Sequence, residues 1–402
     1  MSRIESTQTL TAPVVHWGRL AGNAAAHMTE HLFNGITAVI LPLMTSSLGL
    51  SLAQAGALVS ARSLVAGAAS FPSGFFADLA KRRQLLLALC LMMLGVASFG
   101  LGLSSSFSLL LFFMALGGAG GGGFHPQSLA ILSSTYREKR AFAVGVHDSS
   151  GNLGEVVGPL VLGLLLSFFD WRTTLQLWAL PGVTVGILYA LFGAEGQAAA
   201  PRPHDYKRAL WEDVLKSRTV FALVLVSTLR MMGQTALSAF LPLYLSLHLK
   251  FPAAVTGAYM SILFFFAGTT PTVAGWVSDR LGRKSLIVSC SLASVIAIVT
   301  IPYLESGVPL AFGFAAIGVF LWALRPVIIT AAMEAAPQNL AGSIVAVLFA
   351  ANMGVSFLAP IMAGLIADRY GLPVALACIA VFPFLSSVVA SVFIISQPKK
   401  TG

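Results

Sequence analysis

The chain has 402 residues, of which 57% are hydrophobic and only 10% charged, and its formal net charge at pH 7 is +9. A soluble domain carries about 25% charged residues, so this composition excludes an ordinary soluble protein and indicates a bilayer. Nucleic-acid binding would need a basic face with interleaved aromatic residues, and the sequence shows none.

Apolar runs of roughly 20 residues, separated by short polar stretches, predict twelve membrane helices. In chain order these cover 19–44, 51–77, 84–103, 106–134, 141–168, 172–193, 219–247, 253–277, 285–303, 308–333, 341–366 and 372–396. The longest polar stretch divides six helices from six. We therefore expect an all-α membrane protein with an N-terminal six-helix bundle over 1–193, a cytoplasmic linker over 194–218 and a C-terminal six-helix bundle over 219–402.

Basic residues are unevenly distributed between the two sides of this topology. Most of the 24 Lys and Arg residues fall at the termini or in the even-numbered loops. Because cytoplasmic loops carry the excess of basic residues, we expect both termini in the cytoplasm and the chain in the inner (plasma) membrane.

The two halves repeat each other at an offset of 200 residues. Leu41–Leu43 and Leu241–Leu243 both read Leu-Pro-Leu, and Asn152 aligns with Asn352. A duplicated six-helix unit is a known transporter plan, in which the substrate site lies between the halves near the middle of the membrane. The sequence therefore predicts two pseudo-symmetric bundles.

A glycine-rich run, GGAGGGGFHPQ at 117–127, lies in the fourth predicted helix and contains the dinucleotide fingerprint G-x-G-x-x-G. That fingerprint requires a preceding strand and a soluble βαβ unit, which a membrane span does not provide. We interpret the glycines as positions where a neighbouring helix approaches closely or a flat substrate contacts the backbone. A bend is expected at Pro126, with His125 beside it.

Two loops share a pattern of glycine, aspartate and basic residues. The first holds Gly74, Asp78 and Arg82, and the second holds Gly275, Asp279, Arg280, Gly282 and Arg283. Both resemble the signature loop G-x-L-A-D-R-x-G-R-K of the major facilitator superfamily, although the first lacks the Arg after Asp and the second Gly. The resemblance implies two bundles that rock around a central cavity, with the aspartate latching the cytoplasmic side. The alternative is a basic loop that only sets topology.

The fifth predicted helix carries Gly145, Gly154, Gly158 and Pro159. This spacing resembles the antiporter motif of proton-coupled drug exporters in the superfamily, although Leu162 stands where that motif has glycine. The resemblance implies export. The alternative is that these residues serve close helix packing alone.

Helices 4 and 5 together most resemble the fosmidomycin-resistance branch of exporters. The residues that carry this resemblance are Phe124-His125-Pro126, 151–154 and Gly158-Pro159. Drug/proton antiporters usually have an Arg midway along helix 4, whereas residues 111–124 contain none. Any proton coupling must therefore use other groups.

Ionisable and amide side chains within the predicted helices form the candidate substrate and proton pathway. Each charge at mid-bilayer costs about 2.5–3.5 kcal/mol, so it should face a cavity or a partner. The candidates are His27, Glu30, His31, Asn34, Arg62, His125, Asp148, Asn152, Glu155, Arg230, Gln234 and Arg325. The interiors of helices 3, 6, 9 and 12 have no ionisable residue, and the superfamily fold places those four on the outside.

Glu30 and Arg230 occupy equivalent positions in the two halves. We hypothesise that they face each other across the cavity, where the carboxylate exchanges its partner for a proton or an anionic substrate. The alternative is a structural pair that holds the bundles together. Asp148 is likewise a candidate structural partner for Arg62 or His147.

His27-Met-Thr-Glu30-His31 spells H-x-x-E-H, a zinc-peptidase motif with the order inverted. Two histidines one turn apart can bind zinc, but no companion ligand motif is evident. A membrane-embedded zinc enzyme is therefore only a minor alternative, and we expect no enzyme activity, no resident metal and no cofactor.

These observations favour a secondary active transporter that moves a small organic solute by alternating access, with proton-coupled efflux expected. Proton-coupled uptake of a small organic anion is the alternative, since the three intramembrane arginines and His125 favour a negatively charged substrate. The expected partners are the substrate, protons and the lipid bilayer, with no nucleic acid, and we expect a monomer.

Overall fold

The computed structural model describes residues 16–80, 82–136, 139–195, 217–335 and 341–393. These ranges contain no strand and form twelve helices, which confirms the predicted fold class. They are α1 (17–47), α2 (Leu52–Ala80), α3 (Arg83–Leu103), α4 (Phe107–Thr135), α5 (Arg140–Leu165), α6 (Trp171–Phe192), α7 (Arg218–His248), α8 (Ala253–Leu281), α9 (Arg283–Tyr303), α10 (Val308–Glu334), α11 (341–370) and α12 (Leu372–Phe393). Nearly all of the predicted linker, 196–216, lies outside the described residues.

Ten of these helices, in whole or in part, are long and apolar enough to cross a membrane. The other two, α1 and α5, carry the polar faces predicted from the sequence. His27 and Glu30 of α1 and His147 of α5 are buried inside the protein, because polar groups in hydrocarbon without partners would cost several kcal/mol each.

Within the described residues, three helices contain a π-helical turn. These turns are Ile36–Ile40 in α1, Tyr244–His248 in α7 and Gly318–Trp322 in α10. A π turn inserts a residue into the regular ladder and is frequent at functional sites. The helices that carry these turns also carry many of the candidate pathway residues.

The glycine run of α4 is a packing surface. A Cβ atom on Gly118 or Gly122 would collide with the backbone carbonyls of Arg62 and Ala66 in α2, and one on Gly120 would lie 2.7 Å from the carbonyl of Cys90 in α3. The structure therefore confirms close helix approach at Gly118 and Gly122, inside one continuous helix.

The two halves of the chain contact each other near one set of helix ends. In the α2–α11 pair, the Asp368 carboxylate accepts hydrogen bonds from the backbone amides of Leu52 (2.7 Å) and Ala53 (2.9 Å). In the α5–α8 pair, a Cβ on Gly163 would lie 2.9 Å from the Ala253 carbonyl, and the Ser261 hydroxyl donates to the Val156 carbonyl at 2.8 Å.

Near their opposite ends, α5 and α8 each carry a glycine with open space around it. A Cβ on Gly145 or Gly275, near those ends, would meet nothing within 4 Å. Between the two levels, the Asn152 amide donates to the Gly268 carbonyl at 3.3 Å. The contacts between the halves therefore close the end that holds Asp368.

Candidate functional site

A polar network joins α1, α2 and α5 through Asn34. The Arg62 guanidinium donates to Asn34 Oδ1 at 2.8 Å, and Asn34 Nδ2 donates to Glu155 Oε1 at 3.3 Å. His31 Nδ1 donates to the same Glu155 oxygen at 3.0 Å. Because His31 and Asn34 lie one turn apart on α1, both reach a single carboxylate on α5.

A second cluster forms where α1 faces α4. Nε2 of His31 lies 3.0 Å from Nε2 of His27, and 3.4 Å from Oε2 of Glu30. Glu30 Oε2 lies 3.8 Å from Nε2 of His125 on α4. The structure thus brings His125 to the α1 histidines, a contact that sequence spacing could not reveal.

His27 is held in place by His147 on α5. Its Nδ1 donates to the His147 carbonyl at 2.7 Å, and the two imidazole rings stack with their centroids 3.5 Å apart. His27 is 4% exposed and His147 is 1% exposed, so both rings are fixed inside the bundle.

Asn23 is a site residue that the sequence interpretation missed. Its Oδ1 accepts hydrogen bonds from His147 Nδ1 at 2.9 Å and from the Ser128 hydroxyl at 3.0 Å. Asn23 lies one helical turn before His27, so extending the polar face of α1 by one turn would have found it.

The C-terminal half contributes Arg230, Gln234 and Arg325. Arg230 is 3% exposed, and its Nη1 donates to Gln234 Oε1 at 2.6 Å, while its Nε is buried without a hydrogen-bond partner. Arg325 is exposed in the cleft, close enough to Asp148 and Glu155 to interact electrostatically with both.

The proposed Glu30–Arg230 pair is not formed in this structure. Glu30 contacts His31 and His125, and Arg230 donates to Gln234 one turn along its own helix. The repeat equates the two positions along the chain, but it does not determine which way each side chain points. Asp148 is exposed and forms no ion pair with Arg62 or His147 in the part of the chain described.

The second signature loop is held by ion pairs within the C-terminal half. Arg283 lies 2.6 Å from Asp279 and 3.0 Å from Glu334 at the end of α10. Arg280 stacks on Trp276, with its guanidinium carbon 3.8 Å from the ring centroid. These contacts join α8 and α9 to α10, and Glu334 is a partner that the motif alone did not indicate.

The first signature loop is described only in part. For 74–80 in α2 only the backbone is described, so the surroundings of Gly74 and the side chain of Asp78 lie outside the description, whereas Arg82 is exposed between α2 and α3. Gly282 joins α8 to α9 with φ +91°, a conformation that favours glycine.

The glycines of α5 pack against α1. A Cβ on Gly158 would lie 2.8 Å from the Leu32 carbonyl, and one on Gly154 would collide with the Met28 carbonyl. The carbonyl of Pro159 lies against Gly257 of α8, while Gly145 faces open space. The motif therefore brings α5 close to both α1 and α8.

Comparison with known proteins gives relatives across nearly the whole chain. The chain is 23% identical to the fosmidomycin resistance protein of Escherichia coli K12 over 383 residues, which cover 92% of this chain and 91% of that protein. The uncharacterized MFS-type transporter YfnC of Bacillus subtilis is 23% identical over 374 residues, which is 89% of this chain and 88% of YfnC.

Solved structures share the fold. The nucleoside transporter NupG superposes with a TM-score of 0.83 at 13% identity, covering 94% of this chain and 100% of NupG. A bacterial homolog of the human lysosomal transporter Spinster, in an inward-facing and unoccupied conformation, gives a TM-score of 0.80 at 16% identity over 94% of this chain and 97% of that one.

The sequence model of the Major Facilitator Superfamily matches residues 24–360 and 223–402. Those matches span both halves, in agreement with the twelve helices and the duplicated motifs. The chain belongs to the Major Facilitator Superfamily of membrane transporters.

Proposed function

We propose that this transporter exports a small organic solute in exchange for protons, with both termini in the cytoplasm. The observation that carries the proposal is the network of Glu30, His31 and Glu155, which places carboxylates and an imidazole together beside the cleft. Relatives that include a fosmidomycin resistance protein and the multidrug resistance protein MdtG support export.

The contacts that close the Asp368 end of the cleft support alternating access. Under the positive-inside topology, the end closed by Asp368 is extracellular and the opposite end is cytoplasmic. The bundles 1–193 and 219–402 would rock about the contacts between α5 and α8 and between α2 and α11. Substrate would enter from the cytoplasm and leave when those contacts break.

Protons and substrate would use different groups of the same cavity. Glu30 and Glu155 can exchange a histidine partner for a proton. A positively charged histidine within hydrogen-bond distance favours the ionised carboxylate, so the carboxylate takes up a proton once that partner moves away. Arg325 is exposed on the C-terminal half and Asn152 lies at the contact between the halves, so both can position a polar solute.

Uptake of a small organic anion is the second candidate. The buried Arg230 has an Nε donor without a partner, and a carboxylate or phosphonate could accept from it. Direction separates the two candidates, since an antiporter moves its solute against the proton flux and a symporter moves it with the proton flux.

The test is transport by purified protein in proteoliposomes with an imposed pH gradient. Phosphonates, carboxylates and cationic drugs are screened with the gradient in each direction. We expect Glu30→Gln to lower pH-driven flux by about tenfold or more while solute exchange without a gradient continues.

Glu305→Gln is the matched control, because Glu305 is exposed in the loop before α10. It should transport like the unmodified protein. Unchanged pH-driven flux in Glu30→Gln would contradict the role of Glu30 in coupling, and solute movement with the protons would replace export by uptake.

A further inference from the structure

We propose that His27, Glu30, His31 and His125 form a binding site for a divalent transition-metal ion such as Zn²⁺ or Co²⁺. The inference goes beyond proton-coupled solute export and replaces our expectation of no metal. It rests on the arrangement of four side chains and does not depend on the direction of transport or on its coupling.

The four ligand atoms converge on one point. One nitrogen from each histidine and one oxygen of Glu30 all lie within 4.8 Å of one another. A tetrahedral zinc ion with bonds of about 2.0–2.1 Å places neighbouring ligands about 3.3 Å apart. The Nε2 atoms of His31 and His27 are 3.0 Å apart, and Glu30 Oε2 lies 3.4 Å from Nε2 of His31 and 3.8 Å from Nε2 of His125, distances on either side of that value.

Two of the histidines are held in the orientation that metal binding needs. His27 Nδ1 faces the His147 carbonyl, which can only accept, so the Nδ1 carries a proton and the neutral ring presents the Nε2 lone pair. His31 Nδ1 faces the Glu155 carboxylate in the same way. Metal-binding histidines typically donate their other ring N–H to a carbonyl or a carboxylate.

Glu30 supplies the fourth ligand. Its Oε2 is buried and has no hydrogen-bond partner, an arrangement that costs free energy when a polar atom stays unsatisfied. Coordination to a cation between the three imidazoles would satisfy this oxygen and balance the charge of the metal.

His125 provides the connection to the cleft. Its side chain is 41% exposed, whereas that of Glu30 is 6% exposed, so an ion can approach from the cleft past His125. His147 also touches the cluster, but its Nδ1 donates to Asn23. The site therefore has three imidazoles and one carboxylate, a donor set suited to zinc-like ions.

A hydrogen bond between His31 and His27 also fits their 3.0 Å separation, and the experiment must distinguish it from a metal site. Protein is purified with a tag that contains no histidine, treated with chelator, exchanged into buffer and titrated with Co²⁺. Four-coordinate cobalt absorbs visible light far more strongly than the six-coordinate aquo ion, so the spectrum reports geometry as well as binding.

We expect one equivalent of Co²⁺ per chain with the four-coordinate spectrum, and displacement of cobalt by Zn²⁺. His125→Gln should weaken the affinity at least about tenfold. His248→Gln is the matched control, because His248 is exposed and stacks on Tyr244 away from the cluster, and it should bind like the unmodified protein.

Two results would overturn the site. The first is a six-coordinate spectrum, or no binding, for the unmodified protein, a measurement that needs no variant to fold. The second is equal affinity in His125→Gln and the unmodified protein. Either result would leave proton-driven solute transport untouched, so failure of the metal site is distinguishable from failure of the proposed function.

Discussion

At the scale of single residues, Asn34 shows that side-chain spacing predicts the face of a helix but not the partners of a side chain. Its position with His27, Glu30 and His31 on one face of α1 could be predicted from the period of the helix. Its role as the bridge between Arg62 and Glu155 could not, because that role depends on the rotations of α2 and α5 about their own axes. The same reason hid the contact between His125 and Glu30.

Removing the Asn34 bridge should destabilise the protein. In Asn34→Ala, the Arg62 guanidinium and Glu155 each lose a hydrogen-bond partner inside the bundle. We expect the free energy of unfolding to fall by about 1–3 kcal/mol, measured as a lower melting temperature in detergent. Ser46→Ala, at an exposed hydroxyl, is the control, and equal melting of the two variants would contradict the bridge.

At the scale of elements, twelve apolar runs predicted twelve helices because the thickness of the bilayer sets the length of each span. What each glycine of the run in α4 contacts could not be predicted from the sequence, since a glycine can face a helix, a substrate or a cavity. The structure distinguishes these cases within a single helix. Gly118 and Gly122 touch α2, Gly120 touches α3, and Gly121 faces Glu30.

Gly117 and Gly122 therefore form a matched pair for substitution by alanine. A Cβ on Gly122 would collide with the Ala66 carbonyl, whereas one on Gly117 would lie 3.5 Å from the Ala97 side chain, an ordinary contact. We expect Gly122→Ala to lower stability by about 1–3 kcal/mol and Gly117→Ala to be neutral or stabilising by up to about 1 kcal/mol. Thermal melting of both variants in detergent measures the difference, and equal effects would contradict this packing.

At the scale of the whole molecule, Asp170 and Asp368 both cap the N-terminus of a helix, one within its own half and one across the boundary between the halves. Asp170 caps its own helix α6, accepting from the amides of Arg172 and Thr173, and the hydrogen bonds from Thr173 hold the pKa of Asp170 below its usual range. Asp368 instead caps α2 from α11, across the boundary between the halves. The sequence does not distinguish them, because only the packing of the two bundles brings α2 to Asp368.

Closure of the cleft should therefore depend on Asp368 and not on Asp170. In Asp368→Ala, two backbone amides of α2 lose their acceptor, and the loss of a helix cap costs about 0.5–2 kcal/mol. A cost of about 1.4 kcal/mol shifts a two-state equilibrium about tenfold toward the state open at this end. Spin labels at Ser51→Cys and Arg369→Cys, placed on exposed positions of the two halves after Cys90, Cys290 and Cys378 are replaced, report the separation.

We expect a longer and broader distance distribution in Asp368→Ala than in the labelled parent. Asp170→Ala removes a cap of the same kind from a helix end without touching the contact between the halves, so it should leave the distribution unchanged. An identical distribution in all three proteins would show that the packing of Gly56 and Gly364, together with the α5–α8 contacts, holds this end closed without Asp368. A shift of equal size in both variants would mean that the distance reports general loosening of the helix ends.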